Sequence, residues 1–337
     1  MTDTDVNDGA SNGVVANDVV VRVDDLVVEF PAGRKQTVHA VSGVSLELRR
    51  GETLGLVGES GCGKSTTGRA MMRLVEPTSG RVELDGVDLT QLSPSELRRA
   101  RRKMQMIFQD PVSSLNPSRR VREVVREGIE IWRDDHPDDG ANDAKVAEVM
   151  AAVGLDPEVG ERRPHEFSGG QCQRICIARA LVVDPEVLIL DEPVSALDVS
   201  VQAQILNLLE RLRARFDLTM LFISHDLAVV KNVSDRVVVM YLGRVCEEAP
   251  TDELFTAPKH PYSQALLASI PGIDPTERWG LGDPDELVSG ELPSPIDPPS
   301  GCRFRTRCPH ATERCAAEVP ELREIAPGHR VACHHVD

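Results

Sequence analysis

Gly58-Glu59-Ser60-Gly61-Cys62-Gly63-Lys64-Ser65 is the stretch on which the reading of this chain turns. It fits the pattern of a phosphate loop, in which successive backbone N–H groups wrap a β-phosphate at the positive end of a helix. Side chains at the glycine positions would block that wrapping. Lys64 is expected to reach the β- and γ-phosphates and the Ser65 hydroxyl to take a place on Mg²⁺, with Gly58, Ser60, Gly61, Gly63 and Thr66 lining the same cradle. The alternative is a glycine-rich turn ahead of an ordinary helix. Context favours the first reading, because residues 53–57 form a short apolar run and residues 64–74 read as a helix, so strand, loop and helix follow in order.

Such a loop needs a carboxylate facing the metal from the end of a buried strand, and Val187-Leu188-Ile189-Leu190-Asp191-Glu192 supplies one. Four apolar residues followed by two acids would be costly inside a core. The acids are therefore expected to emerge at the carboxyl end of the strand, where ligands sit in open α/β sheets. Asp191 is then the Mg²⁺ partner. Glu192 is the candidate for orienting or polarising the attacking water, because phosphoryl transfer to water depends on positioning and charge neutralisation more than on covalent catalysis.

Farther out, β-rich and helix-like segments alternate over residues 19–255, the pattern of an α/β domain with a largely parallel sheet. Residues 19–30 and 38–48 read as strands. Residues 120–132 and 141–153 read as helices within an insertion spanning about 112–167, and residues 187–190, 219–223 and 236–240 as strands covered on both faces. After about Pro258 the composition shifts toward Pro, Gly and Asp, and residues 293–301 read as irregular. The expected organisation is a disordered tail over 1–18, a nucleotide-binding domain over 19–257 and a smaller C-terminal region over 258–337.

No stretch approaches the ~18 to 20 apolar residues that a spanning helix requires, and the start lacks a basic-then-apolar leader, so a cytoplasmic location is expected. Acidic residues number 54 against 38 basic ones, for a formal charge of −16, and only 6 of the basic residues are Lys. An acidic surface repels nucleic acid phosphates, so no nucleic acid partner is expected. Acidic, Lys-poor usage also resembles that of proteins from salt-loving organisms.

Phe167-Ser168-Gly169-Gly170-Gln171 resembles the signature sequence of ABC transporter ATPases. Physically, a Ser and two glycines at a helix start make a second anion site with exposed N–H groups. The resemblance implies a P-loop NTPase fold of the ABC ATPase type, an α/β core with an antiparallel β subdomain and a helical insertion. It also implies that two such chains pair head to tail, so that Ser168, Gly170 and Gln171 of one clasp the γ-phosphate of the ATP held by Lys64 of the other. Gln109, in Ile107-Phe108-Gln109-Asp110, is similar to the family's glutamine that senses metal and water. Asp198, in Ser195-Ala196-Leu197-Asp198, resembles the key acid of the dimer-contact loop, and His225 the histidine that contacts the γ-phosphate. Phe30 is the candidate for stacking on adenine, a core role being its alternative.

Resemblance extends to the dipeptide/oligopeptide importer ATPases, in Arg162-Arg163-Pro164-His165-Glu166-Phe167, Ser114-Leu115-Asn116-Pro117, His260-Pro261-Tyr262 and Leu292-Pro293-Ser294-Pro295. It is closest to the second of the two ATPase subunits that such importers often carry. That implies a sister ATPase, two transmembrane permease subunits and an extracellular peptide-binding protein, with this chain peripheral on the cytoplasmic face of the membrane. The family also serves nickel and other small solutes. A soluble ABC ATPase of DNA repair or translation is the reading from another class, but neither the long coiled coil nor the second cassette of such proteins is present. A regulator with a dead site is opposed by Lys64, Asp191, Glu192 and His225.

Cys302-x5-Cys308-x6-Cys315-x17-Cys333 supplies four soft ligands, with Pro309 after the second, and four thiolates can hold zinc or an iron-sulfur cluster. Free thiols are a third reading, and His310, His334 and His335 are alternative ligands. The spacing resembles the tail of peptide-importer ATPases that bind a [4Fe-4S] cluster, which implies a structural cluster here, with zinc as the alternative. Cys62, Cys172, Cys176 and Cys246 read as small buried thiols.

Overall fold

Successive residues of the apolar runs face two different cores, and that alternation explains why the runs are continuous. The computed structural model describes residues 18–33, 36–132, 138–269 and 291–336. Residues 1–17 of the expected tail and residues 270–290 lie outside the described residues. The strands are β1 (Val19–Ala32), β2 (Gln36–Arg49), β3 (Thr53–Val57), β4 (Ser79–Leu84), β5 (Val87–Asp88) and β6 (Met104–Ile107). They continue with β7 (Val187–Asp191), β8 (Thr219–Ser224), β9 (Arg236–Tyr241), β10 (Arg244–Pro250), β11 (Arg323–Ala326) and β12 (His329–Val331).

One antiparallel sheet has the order β2-β1-β4-β5. The larger sheet runs β11-β12-β10-β9-β3-β8-β7-β6, and its β9-β3-β8-β7-β6 portion is parallel. Within β7, Leu188 and Leu190 join a core shared with the helices, whereas Val187 and Ile189 join a core shared with the antiparallel sheet. In β8, Met220 and Phe222 take the first side, Leu221 and Ile223 the second. A strand buried on both faces has no polar side to display, so its sequence carries no alternation.

Helices Val121–Ile131 and Asp139–Ala152 form the inserted helical part and pack against Gly169–Leu181, with Val125, Ile129, Val149 and Ile175 fully or almost fully buried between them. Ser93 illustrates how local chemistry sets a boundary. Its hydroxyl pairs with Glu96 at the start of helix Pro94–Lys103, Glu96 reaches back to the Ser93 N–H, and Pro94 takes the first helical position.

The C-terminal region is less irregular than its composition suggests. Pro261–Ala268 is a helix, and β11 and β12 form a hairpin whose second strand pairs with β10 through Glu247↔Val331 and Glu248↔Arg330. Such short, charged strands give no periodic signal. Only Pro327-Gly328, with Gly328 at φ +73°, marks the turn between them. Inside, His329 Nε2 lies 2.7 Å from Glu247 Oε1 with both side chains out of solvent. Tyr241, Tyr262 and Phe304 meet edge to face or tilted, with centroids 4.7–5.4 Å apart.

Candidate nucleotide site

β3 delivers the chain to the phosphate loop at the carboxyl end of the parallel sheet. Two glycines are required there for steric reasons. Gly58 has φ +149° and a Cβ would fall 2.1 Å from the Met240 carbonyl oxygen, while Gly63 has φ +104° and a Cβ would fall 2.2 Å from the Ala40 carbonyl oxygen. Helix Lys64–Met71 starts immediately after Gly63. Lys64 is 4% exposed, and its Nζ donates to the carbonyl oxygens of Gly58 at 2.7 Å and Glu59 at 3.0 Å. The ammonium is thus held inside the curve of the loop, on two carbonyl acceptors that an arriving phosphate oxygen can replace.

Asp191 ends β7 with no solvent exposure. The Ser65 hydroxyl donates to its Oδ1 at 2.5 Å, and Arg69 Nη2 lies 3.3 Å from its Oδ2. Burial of a carboxylate is tolerated only with such partners. Glu192 follows at φ +50°, a left-handed conformation that costs a non-glycine residue about 1–3 kcal/mol. That twist turns its carboxylate into the cleft. Gln109 Nε2 donates to Glu192 Oε2 at 2.8 Å, and His225 Nδ1 lies 3.1 Å from Glu192 Oε1. Three residues from β6, β7 and β8 ends are thereby joined through one carboxylate.

Phe30, Ser60, Gly61, Gly63, Lys64, Ser65, Thr66, Gln109, Glu192 and His225 all line a single cleft of about 610 Å³. Phe30 is 38% exposed at its mouth, so it is not a core residue. Val38, Ala40 and Pro295 complete the lining. Val38 and Ala40 were not singled out from the sequence, because small or apolar residues at strand positions carry no chemical signature, and Pro295 was read only as part of the Leu292-Pro293-Ser294-Pro295 motif, with no place at this cleft. Arg69 was missed as well, since an Arg on a helix ordinarily reads as a solvated side chain.

Ser168, Gly170, Gln171 and Asp198 do not line this cleft. Ser168 begins helix Gly169–Leu181 as its cap: its hydroxyl accepts from the Gln171 N–H at 3.4 Å and Gln171 Oε1 accepts from the Ser168 N–H at 2.9 Å. A Cβ on Gly170 would fall 2.5 Å from Val201 Cγ1, so that glycine is needed for the close approach of this helix to helix Val199–Phe216. Asp198 caps the latter helix. The Ser200 hydroxyl, at 2.6 Å, and the Val201 N–H, at 3.0 Å, hold its carboxyl below the usual carboxylate range. Ser168, Gln171 and Asp198 are exposed near one another, with Gly170 buried between the two helices, and the chain's own cleft lies elsewhere.

Cys302, Cys308, Cys315 and Cys333 gather around the C-terminal segment. The Cys302 N–H donates to the Cys315 carbonyl at 2.8 Å, Cys315 Sγ lies 3.6 Å from His335 Nε2, and the His335 N–H donates to Cys333 Sγ at 3.4 Å. Burial, with the other three thiols close by, pushes the Cys308 thiol up to about 11. Among the described residues no three His, Cys, Asp or Glu side chains converge closely enough to hold one metal ion. His334 Nε2 lies 3.1 Å from the Glu318 carbonyl. As expected, Cys62, Cys172, Cys176 and Cys246 are all buried.

Comparison with known proteins identifies what this cleft belongs to. A family profile described as ABC transporter matches residues 41–195, and one described as oligopeptide/dipeptide transporter, C-terminal region, matches residues 246–315. YkfD of Bacillus subtilis (strain 168) is 54% identical over 319 residues, covering 94% of this chain and 95% of that one. The oligopeptide transport ATP-binding protein AppF of the same organism is 54% identical over 299 residues, covering 88% and 89%. Among solved structures, cbiO1 from Clostridium perfringens, part of the ABC transporter complex cbiONQ, superposes with a TM-score of 0.64 at 28% identity, over 71% of this chain and 92% of that one. The ATP-binding cassette MJ0796, solved as a dimer in a post-hydrolysis state with ADP and Pi, superposes with a TM-score of 0.63 at 28% identity, over 68% and 98%. Identity at this level along nearly the full length of such relatives decides the matter: the chain belongs to the ATP-binding, ATP-hydrolysing subunits of ABC transporters, in the oligopeptide/dipeptide branch.

Proposed function

We propose that this chain powers import of di- and oligopeptides through a membrane permease by binding and hydrolysing ATP in the cleft at Lys64. The observation that carries the reading is the convergence of Lys64, Ser65, Gln109, Glu192 and His225 on one cleft from sequence positions up to 161 residues apart (225 − 64). On this reading Lys64 exchanges the Gly58 and Glu59 carbonyls for the β- and γ-phosphates, while the loop N–H groups and Thr66 hold the phosphate oxygens. Phe30 takes the adenine face and Glu192, braced by Gln109 and His225, orients the attacking water. His225 then also faces the γ-phosphate.

The Ser65 hydroxyl and Asp191, with Gln109 nearby, are hard oxygen donors beside the loop and suit Mg²⁺. That ion supplies charge neutralisation at the β- and γ-phosphate oxygens. Ser168, Gly170 and Gln171 of a second ATPase subunit would close over the γ-phosphate, with Asp198 at the contact between the two chains. The adjacency of these residues outside the chain's own cleft supports this arrangement. The proposal puts the chain peripherally on the cytoplasmic face, with a sister ATPase, two permease subunits and an extracellular peptide-binding protein. Among the described residues no helix is long and apolar enough to cross a membrane. The domain limits that fit this reading are 19–257 for the ATPase and 258–337 for the C-terminal region.

Co-purification of the chain with its permeases, followed by assay of ATP turnover against di- and oligopeptides, nickel and other small solutes, tests the cargo. Peptides presented with the binding protein are expected to stimulate turnover. Stimulation by nickel alone would replace the peptide assignment and leave the ATPase intact.

The four C-terminal thiols are proposed to hold a structural [4Fe-4S] cluster, with zinc as the alternative. The proximity of Cys308 to the thiols of Cys302, Cys315 and Cys333, four soft ligands of the kind such clusters take, supports this reading. Protein prepared without oxygen is expected to contain iron and acid-labile sulfide. Zinc in their place, or neither metal nor sulfide in aerobic and anaerobic preparations alike, would overturn the assignment.

A further inference from the structure

Glu59, the second residue of the phosphate loop, is held from behind by two side chains of the C-terminal region. Its backbone N–H donates to the Tyr262 hydroxyl at 2.9 Å. Its two carboxylate oxygens accept from Arg307 Nη1 at 3.0 and 2.9 Å. These contacts are largely shielded from water: Tyr262 is 1% exposed, the Arg307 side chain 11% and the Glu59 side chain 29%. The Tyr241 hydroxyl lies 3.4 Å from Arg307 Nη1, and the rings of Tyr241 and Phe304 wedge Tyr262 in place. On its other side the Glu59 carbonyl accepts from Lys64 Nζ at 3.0 Å. One residue thus connects the C-terminal region to the lysine that faces the cleft.

We propose that Tyr262 and Arg307 are positioning residues for nucleotide binding, fixing Glu59 so that the phosphate loop is already curved and open when ATP arrives. This rests on the reading of the cleft as the ATP site. A loop that must order itself on binding loses part of its affinity to that ordering. A charge-assisted pair kept largely from water holds geometry far better than an exposed ion pair, whose contribution is close to nothing. The groups across the cleft, Gln109, Glu192 and His225, are reached by neither Tyr262 nor Arg307. Loosening the anchor therefore acts on affinity and spares the hydrolytic step.

The test compares wild type with Arg307→Gln, Arg307→Lys, Tyr262→Phe, Glu59→Gln and the Glu59→Gln/Arg307→Gln pair in the full-length protein. The readouts are Kd for a fluorescent ATP analogue and the split between KM and kcat. Arg307→Gln and Glu59→Gln are each expected to raise Kd about tenfold, the loss of one charge-assisted interaction. Tyr262→Phe, which keeps the ring and removes only the acceptor, should raise it about threefold. Because Arg307 and Glu59 act as one pair, the double variant should be no worse than either single one, and Arg307→Lys should recover part of the affinity. Wild-type Kd in both Arg307→Gln and Tyr262→Phe would overturn the proposal, as would additive losses in the double variant or a fall in kcat with KM unchanged. Unfolding midpoints taken alongside separate a misfolded Arg307→Gln from a loosened one, and the milder Tyr262→Phe then carries the decision. Failure of the wild type itself to bind the analogue would instead remove the ATP-site reading.

Discussion

Glu192→Gln protein is expected to bind ATP at near wild-type affinity, turn it over a hundredfold or more slowly, and accumulate as an ATP-bound dimer. Its carboxylate faces the cleft and is held by both Gln109 at 2.8 Å and His225 at 3.1 Å. The amide keeps the shape and one acceptor oxygen, so the residue still fits between its neighbours. What it removes is the negative charge that orients and polarises water, a role worth about 10²- to 10⁴-fold in rate. Single-turnover phosphate release and gel filtration with ATP check the two halves of the prediction. Normal hydrolysis by this variant would take Glu192 out of the chemistry.

Lys64→Ala should lose nucleotide binding first and turnover with it. The Nζ is the charge at the centre of the loop, and each of its hydrogen bonds to a phosphate oxygen is a charge-assisted contact worth about 1.5–3 kcal/mol. Loss of one such contact raises Kd by roughly ten- to a hundredfold. Titration with a fluorescent nucleotide measures it directly. The unfolding midpoint should fall as well, because the buried Gly58 carbonyl loses its donor, at a cost of about 1–3 kcal/mol. An unchanged Kd would mean that phosphates are gripped elsewhere.

The two predictions concern residues that were legible from the sequence, and the reason is chemical. Lys64, Ser65, Asp191 and Glu192 stand at fixed offsets from glycines or from an apolar run, so spacing alone points to phosphate and metal. β7 and β8 were legible because neither face meets water. Residues acting over long separations left no such trace. Tyr262 lies 203 positions from Glu59 and Arg307 lies 248, and only folding brings them together. Tyr262 stood within a recognised His-Pro-Tyr run, yet nothing in that run says that its hydroxyl would meet the phosphate loop. Pro295 reached the cleft wall through a backbone bond, its carbonyl accepting from the His39 N–H at 2.9 Å. Backbone bonds are invisible to residue type. The hairpin of β11 and β12 was missed for a related reason, since four- and three-residue strands with Arg, Glu and His are too short and too polar to show a period.

That hairpin decides how the molecule behaves among its neighbours. Without it β10, whose inner five residues are buried, would bare an unpaired row of amide donors and acceptors on which a second molecule could add a strand. The outermost ribbon is instead β11, four residues long, mostly exposed, and carrying Arg323 and Glu324. A short charged margin discourages intermolecular sheet growth, so the last residues of the chain guard its solubility as well as its shape.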